Sequence, residues 1–199
     1  MVLDFEGFRH KKTGFIIKEL SVQSKNFSDT LLFLPPLSFT ELSASEQRSH
    51  SWVSKFLHGI QWENGTYPYS YIETYFVLLA IRFQSAVFYA KGTEKCIKIE
   101  ELLNWPVKNL EEIDCPKIEL LSSENPTSCE FHSNKTSFRQ RSRHCAKKKA
   151  SAFLDWLEQR NEAINSTDKF ISKFDHLQLH DSWPKTNSHF IQRRKSWHG

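Results

Sequence analysis

The sequence predicts a mixed α/β domain, a sheet flanked by helices, and three observations carry that expectation. Three β-rich segments follow one another between Val2 and Leu34, apolar stretches with helical spacing alternate with short extended ones from Thr40 to Arg160, and no internal repeat interrupts the order. Consecutive strands followed by alternating elements are the pattern of a mixed sheet with helices packed on it. A length of 199 residues predicts one domain with an appendage, here a domain over 1–160 and a polar, basic tail over 161–199. With 39% hydrophobic and 14% aromatic residues but only 6 Gly and 7 Pro, the chain is not disordered or of low complexity as a whole.

Val2-Leu3-Asp4-Phe5-Glu6 alternates apolar and acidic side chains, the period-2 signature of a strand with carboxylates on one face, and Gly7 is expected to end it. Phe15 to Val22, rich in β-branched and aromatic residues, forms the second arm of a hairpin across His10 to Gly14. Thr30 to Leu34 is a third strand, closed by Pro35-Pro36, which cannot donate to a ladder. A helix over Thr40 to Leu57 carries Trp52, Val53, Phe56 and Leu57, and a loop with Gly59, Asn64-Gly65 and Pro68 follows. Ser70-Tyr71-Ile72-Glu73 matches a capping box, which opens a helix over Tyr71 to Phe83. Ser85 to Ala90 reads as a short strand and Gly92 to Leu103 as a helix; a short extended piece then precedes a turn at Asp114-Cys115-Pro116. Leu121 to Arg143 is polar and irregular, and Cys145 to Arg160 is a helix with Ala146, Ala150, Phe153, Leu154 and Leu157 on its apolar side.

The net charge of +4 is mild, but its distribution is uneven. Phe131 to Leu154 holds no acidic residue and contains Lys135, Arg139, Arg141, Arg143, Lys147, Lys148 and Lys149. Concentrated positive charge suits a polyanion, so these residues are candidates for phosphate contacts with a nucleic acid. Phe138 is the only aromatic between Phe131 and Phe153, so the run itself carries no base-stacking platform. No stretch of about 18 uncharged apolar residues exists to cross a membrane. The opening Met1-Val-Leu-Asp-Phe-Glu lacks the basic and apolar regions of a secretory signal, so an intracellular site, cytoplasm or nucleus, is expected. In that compartment four Cys are thiols or metal ligands rather than a disulfide framework.

Three constellations could carry chemistry. Asp4-x-Glu6 puts two carboxylates on one face of a strand, where they could help hold a divalent ion for phosphate chemistry. Cys129-x2-His132-x12-Cys145 has thiolate and imidazole donors at a spacing familiar from zinc sites, with His144 the nearest further donor in sequence. His176 and His180, at i and i+4 in the tail, lack a fixed third ligand and read as a solvated face.

The opening Leu3-Asp4-Phe5-Glu6-Gly7, the hairpin, the third strand and His58-Gly59-Ile60 before a helix resemble the RNase H-like fold of the DEDDh 3′–5′ exonucleases. The resemblance implies Asp4 and Glu6 as metal-binding carboxylates, Glu94 in the middle segment where the family has Asp, and His144 as general base, with Mg2+ or Mn2+ as cofactor. Lys149 stands where that family's last Asp would be, which argues against two-metal catalysis. Cys129, His132 and the His-Cys-Ala opening of the late helix are similar to the Maelstrom domain, a degenerate, zinc-binding member of the fold found in piRNA-pathway proteins. That resemblance, over about residues 2–160, implies a structural zinc held by Glu19, Cys129, His132 and Cys145. With the basic segment Lys135 to Lys149, the expected partner is nucleic acid, single-stranded RNA above all; a separate reading is a protein-interaction scaffold with the tail as a docking peptide. A mobile-element-derived relative is the variant of the Maelstrom reading that keeps Asp4-x-Glu6.

Overall fold

A computed structural model of the chain describes residues 1–121, 129, 131 and 144–178, with residues 163–178 as backbone alone. The chain divides into two units, Met1–Arg160 and Asn161–Gly199, and the sheet lies in the first. Five strands, β1 (Val2–His10), β2 (Gly14–Ser24), β3 (Phe27–Leu32), β4 (Phe88–Ala90) and β5 (Val107–Asn109), are arranged in the order β3-β2-β1-β4-β5. β1, β2 and β3 are antiparallel neighbours, whereas β4 runs parallel to β1 and β5 parallel to β4. Helices α1 (Ala44–Phe56), α2 (Tyr71–Arg82), α3 (Thr93–Leu103) and α4 (Ala146–Gln178) complete a mixed α/β architecture among the described residues. α3 connects the parallel pair β4 and β5, because parallel neighbours need a crossover. Among the described residues no helix is long and apolar enough to cross a membrane.

β1 does not end at Gly7 but runs on to His10. Glu6 faces Glu19, yet Gly7 faces Ile17, so Lys18 is the extra residue of a β-bulge. The bulge brings backbones close: a Cβ on Gly7 would stand 2.0 Å from the carbonyl oxygen of Ile16. A glycine is therefore required inside the strand. Lys18 is fully buried and donates from Nζ to the carbonyls of Trp62 at 2.6 Å and Asn64 at 2.7 Å, which ties the loop after α1 to the sheet. Burial pulls its pKa down to about 7, with Glu63 opposing.

The two faces of the sheet differ in chemistry. Leu3, Phe5, Ile17, Leu20 and Val22 pack with Ile72, Phe76, Leu79, Ile99 and Leu103 of α2 and α3. Burying each such side chain contributes about 1.5–3 kcal/mol. On the opposite face Val2 joins Ala150, Phe153 and Leu157 of α4, while Phe8 and Ile16 meet Leu42 and Trp62. Between those two apolar clusters lie Asp4, Glu19, Ser21 and Gln23, all buried.

Three helix ends differ from expectation, the first being α1, which begins at Ala44 and not at Thr40 because Phe39–Glu41 forms a separate 3-10 turn. Ser70 has helical backbone angles and makes no side-chain cap, so the box at Ser70–Glu73 does not form. The capping box belongs instead to Ser43 and Glu46 at α1, and Glu46 also accepts from the backbone N–H of Lys11 at 3.1 Å, which fastens α1 to the hairpin turn. α4 continues past Arg160 to Gln178, beyond where the apolar pattern fades. No Gly or Pro stands between Cys145 and Trp183 to stop it. The strand read from Ser85 is confined to Phe88–Ala90.

Gly7→Ala is expected to lower the unfolding free energy by about 2–4 kcal/mol, in the range of severe backbone conflicts. Gly14→Ala, strained only by a φ of 76° with nothing near its Cβ, is expected to cost about 1 kcal/mol. Urea unfolding of the two variants measures the difference.

Candidate metal centre

Glu6 and Glu19 are directly opposed across β1 and β2, and Asp4, two residues before Glu6, shares their face. Three carboxylates on a buried face must find cations or donors, because an unpaired buried charge is very costly. The first turns of α4 supply two of them, the Ala146 N–H and the Lys149 ammonium.

At Glu19 the partners are two thiols and a helix end. Cys129 Sγ lies 3.6 Å and Cys145 Sγ 3.7 Å from Glu19 Oε1, and the three ligand atoms all lie within 4.8 Å of one another. Glu19 Oε2 accepts from the backbone N–H of Ala146 at 2.9 Å, the first residue of α4. Cys145 in turn caps the helix, its sulfur accepting from the N–H of Lys148 at 3.5 Å. The Cys129 thiol beside it, burial and the Glu19 charge all push the Cys145 thiol well above its ordinary pKa. The ionised forms of these three groups repel one another, and a divalent cation among them would reverse that.

The spacing suits such an ion. A tetrahedral centre with Zn–S of about 2.3 Å and Zn–O of about 2.0 Å puts neighbouring sulfur and oxygen ligands about 3.5 Å apart. Glu19, Cys129 and Cys145 could hold a metal ion at that geometry. His132, the imidazole of the expected set, lies outside the described residues, and His144 occupies the turn before Cys145.

The Asp4 and Glu6 carboxylates are filled differently. Lys95 Nζ, from α3, is 2.5 Å from Asp4 Oδ1 and donates to the carbonyl of Phe5 at 2.7 Å. Lys149 Nζ, from α4, is 2.9 Å from Asp4 Oδ2 and also pairs with Glu6 Oε1. Burial disfavours the Lys149 ammonium, but Asp4 and Glu6 more than offset that and raise its pKa above the ordinary lysine value. Burial likewise lowers Lys95, which Asp4 only partly counters. Burial works against the Glu6 carboxylate too, yet Lys149 and then Lys95 hold its pKa down at about 2. The result is a neutral quartet of two carboxylates and two ammonium groups. Asp4, Lys95 and Lys149 of this quartet line a cleft of about 260 Å³ together with Lys91, Glu111, Lys117, Glu119 and Phe153.

The remaining sequence candidates fall elsewhere. Glu94 does not join Asp4 and Glu6; it pairs with Arg9 at the surface. Lys149, expected to face phosphates, points inward to the quartet, its side chain only 12% exposed. Lys147 and Lys148 are half-buried in the first turn of α4. Lys135, Arg139, Arg141 and Arg143 lie outside the described residues, as does His180 of the tail.

Lys95 was not singled out by sequence. A signal for it existed: Cys96, Ile99 and Leu103 are the buried stripe of α3. Lys95, four residues before Ile99, belongs beside that stripe, whereas Glu94 aligns with the exposed Ile97 and Glu101. Compared with protein-family models, curated proteins and solved structures, the chain matches none. The chemistry of the site is therefore read from its own residues.

Because Glu6 is held near 2 in the fold against an ordinary 4.5, its contribution to stability is present above pH 4.5 and lost as pH falls through 2. Glu6→Gln is expected to be less stable than the parent by roughly 3 kcal/mol at pH 6. That gap should close between pH 4.5 and 2, as read from urea midpoints across the range.

Proposed function

We propose that the chain is a nucleic-acid-binding module, for single-stranded RNA, built on a catalytically degenerate RNase H-like domain and stapled by a structural zinc. The observation that carries the reading is the pair of ammonium groups, Lys95 and Lys149, seated on Asp4 and Glu6. Two-metal phosphate chemistry needs carboxylates free to take divalent ions about 4 Å apart. Here the two positive charges of the lysines already stand where one such ion would. The alternative of a nuclease with Asp4, Glu6, Glu94 and His144 on Mg2+ or Mn2+ draws no support from Glu94, which is paired with Arg9.

The zinc part of the reading rests on Glu19, Cys129 and Cys145, three of the four residues that the Maelstrom resemblance singles out. Four protein ligands, with His132 as the fourth, would close the site and give the ion a structural role. It would fasten the polar segment before α4 to β2. The order of elements, an antiparallel three-stranded meander followed by a parallel β-α-β unit, is compatible with the RNase H-like reading.

The RNA part rests on charge. The segment from Lys135 to Lys148 has no acidic residue, and phosphate contacts of this kind position a strand without reading its sequence. A second reading, a scaffold for a protein partner, is favoured by one observation. α2 leaves Val77, Leu78 and Ile81 more than half exposed on one side.

Protein purified without a His-tag is expected to carry one zinc per chain by elemental analysis. Cys129→Ser and Cys145→Ser should each lose the metal and melt at a lower temperature. Zinc-free parent protein with unchanged stability after chelation would remove the metal from this reading. Charge reversal of Arg139, Arg141 and Arg143 is expected to weaken RNA binding and lower the salt slope by about 2, since each lost single-strand phosphate contact removes roughly 0.7. Anisotropy titrations at several salt concentrations test this, and an unchanged slope would place the phosphate contacts elsewhere.

A further inference from the structure

The basic run before α4 holds a single aromatic ring, Phe138, whereas α1 exposes two. Trp52 is 53% and Phe56 43% exposed, with ring centroids 5.7 Å apart. The residues beside them are cationic. Arg48, Trp52, Lys55 and Phe56 fall at i, i+4, i+7 and i+8, which places all four on one stripe of the helix. Arg48 is exposed, and Lys55 Nζ sits 5.2 Å from the centroid of the Phe56 ring. The opposite side of α1 is the packed one: Glu46, His50 and Ser54 are buried. Glu46 is the one carboxylate of α1, and it is turned in to Ser43 and Lys11. The exposed stripe thus offers two rings and two cations with no negative charge on the helix to oppose a polyanion.

We infer that this stripe of α1, Arg48, Trp52, Lys55 and Phe56, is a stacking platform for two unpaired bases of a single-stranded nucleic acid. The inference rests on the nucleic-acid reading above and gives it a surface that the basic run does not supply. Aromatic rings take bases of any sequence because every base has a π-face, and nearby cations hold the phosphates. The 5.7 Å between ring centroids exceeds the about 3.4 Å between stacked bases of a strand in a duplex, so successive bases would be splayed, one to each ring. A duplex, whose base faces are covered by stacking, does not fit. A protein partner fits less well, because lysine is depleted from the cores of protein interfaces whereas here it lies against a ring.

The test uses the full chain and a fluorescein-labelled 12-nucleotide single-stranded RNA of mixed sequence, with anisotropy as readout. Trp52→Ala combined with Phe56→Ala should weaken binding about 100-fold, at about tenfold per base lost. Trp52→Phe, which keeps a ring, should weaken it less than about fivefold. Both positions are half exposed, so melting temperatures should stay near the parent's; a variant that melts much lower is replaced by Arg48→Glu with Lys55→Glu, which must then weaken binding at least tenfold. If the parent binds RNA and these variants bind within twofold of it, the platform is wrong and the basic-run reading stands. If the parent binds no RNA at physiological salt, both readings fall. If sedimentation shows a parent dimer that the double alanine variant abolishes while RNA affinity holds, the stripe joins two copies of the chain and the inference is overturned.

Discussion

Glu6 and Glu19 face each other across adjacent antiparallel strands, Glu19 fully buried and the Glu6 side chain only 13% exposed. Like charges directly opposed in a sheet destabilise it, and burial magnifies the effect. Asp4 adds a third carboxylate to the same face. The polar groups placed over this side of β1 and β2 between its two apolar clusters answer that crowding. α4 lands with its N-terminus there, where the helix dipole favours negative charge. Its Ala146 N–H and the Cys145 sulfur go to Glu19, and one turn later Lys149 reaches back to Asp4 and Glu6. α3 contributes Lys95 from the other direction.

The two answers are chemically distinct although they are neighbours. Around Glu19 the donors are soft thiols and a carboxylate, a set suited to a borderline metal. Around Asp4 and Glu6 the charges are neutralised by side chains of the chain itself. A buried ion pair is weak grounds for expecting high stability, since well-packed apolar residues often do as well. Its effect here is on specificity of arrangement: α3, α4 and β1 must meet in one register for both lysines to reach their oxygens. A divalent ion would have to displace ammonium groups already held by carboxylates and by the carbonyl of Phe5.

Much of this was legible in the sequence, and the parts that were not have identifiable causes. The strand-then-alternation order and the helices α1 to α3 follow from hydrophobic period, which tertiary packing reinforced. Lys149 was legible as a charge of the wrong sign for a metal site, and the structure places it on the carboxylates it would block. Glu19 was reachable only through a resemblance, because a lone Glu in a β-rich run carries no spacing signal, and its thiol partners lie 110 and 126 residues away. Gly7 misled because a glycine in a strand can mark either its end or a bulge. Ser70 misled because the capping-box motif says nothing of the backbone angles that the preceding loop imposes, and Ser70 has helical ones.

The position of α4 in the chain has a bearing on how the molecule is made. β1, β2 and β3 are all formed within the first 32 residues, so the hairpins are complete as local structure early in synthesis. Two of the donors to Glu19, and one of the two cations on Asp4 and Glu6, are not added until Cys145 to Lys149 have been translated. Until then the sheet exposes one face that cannot be dried without burying three carboxylates against a single lysine. A nascent chain in that state keeps this face open to water, and closure of the domain waits for its last helix. Closure of the unit from Met1 to Arg160 is thereby tied to the completion of its own C-terminal end.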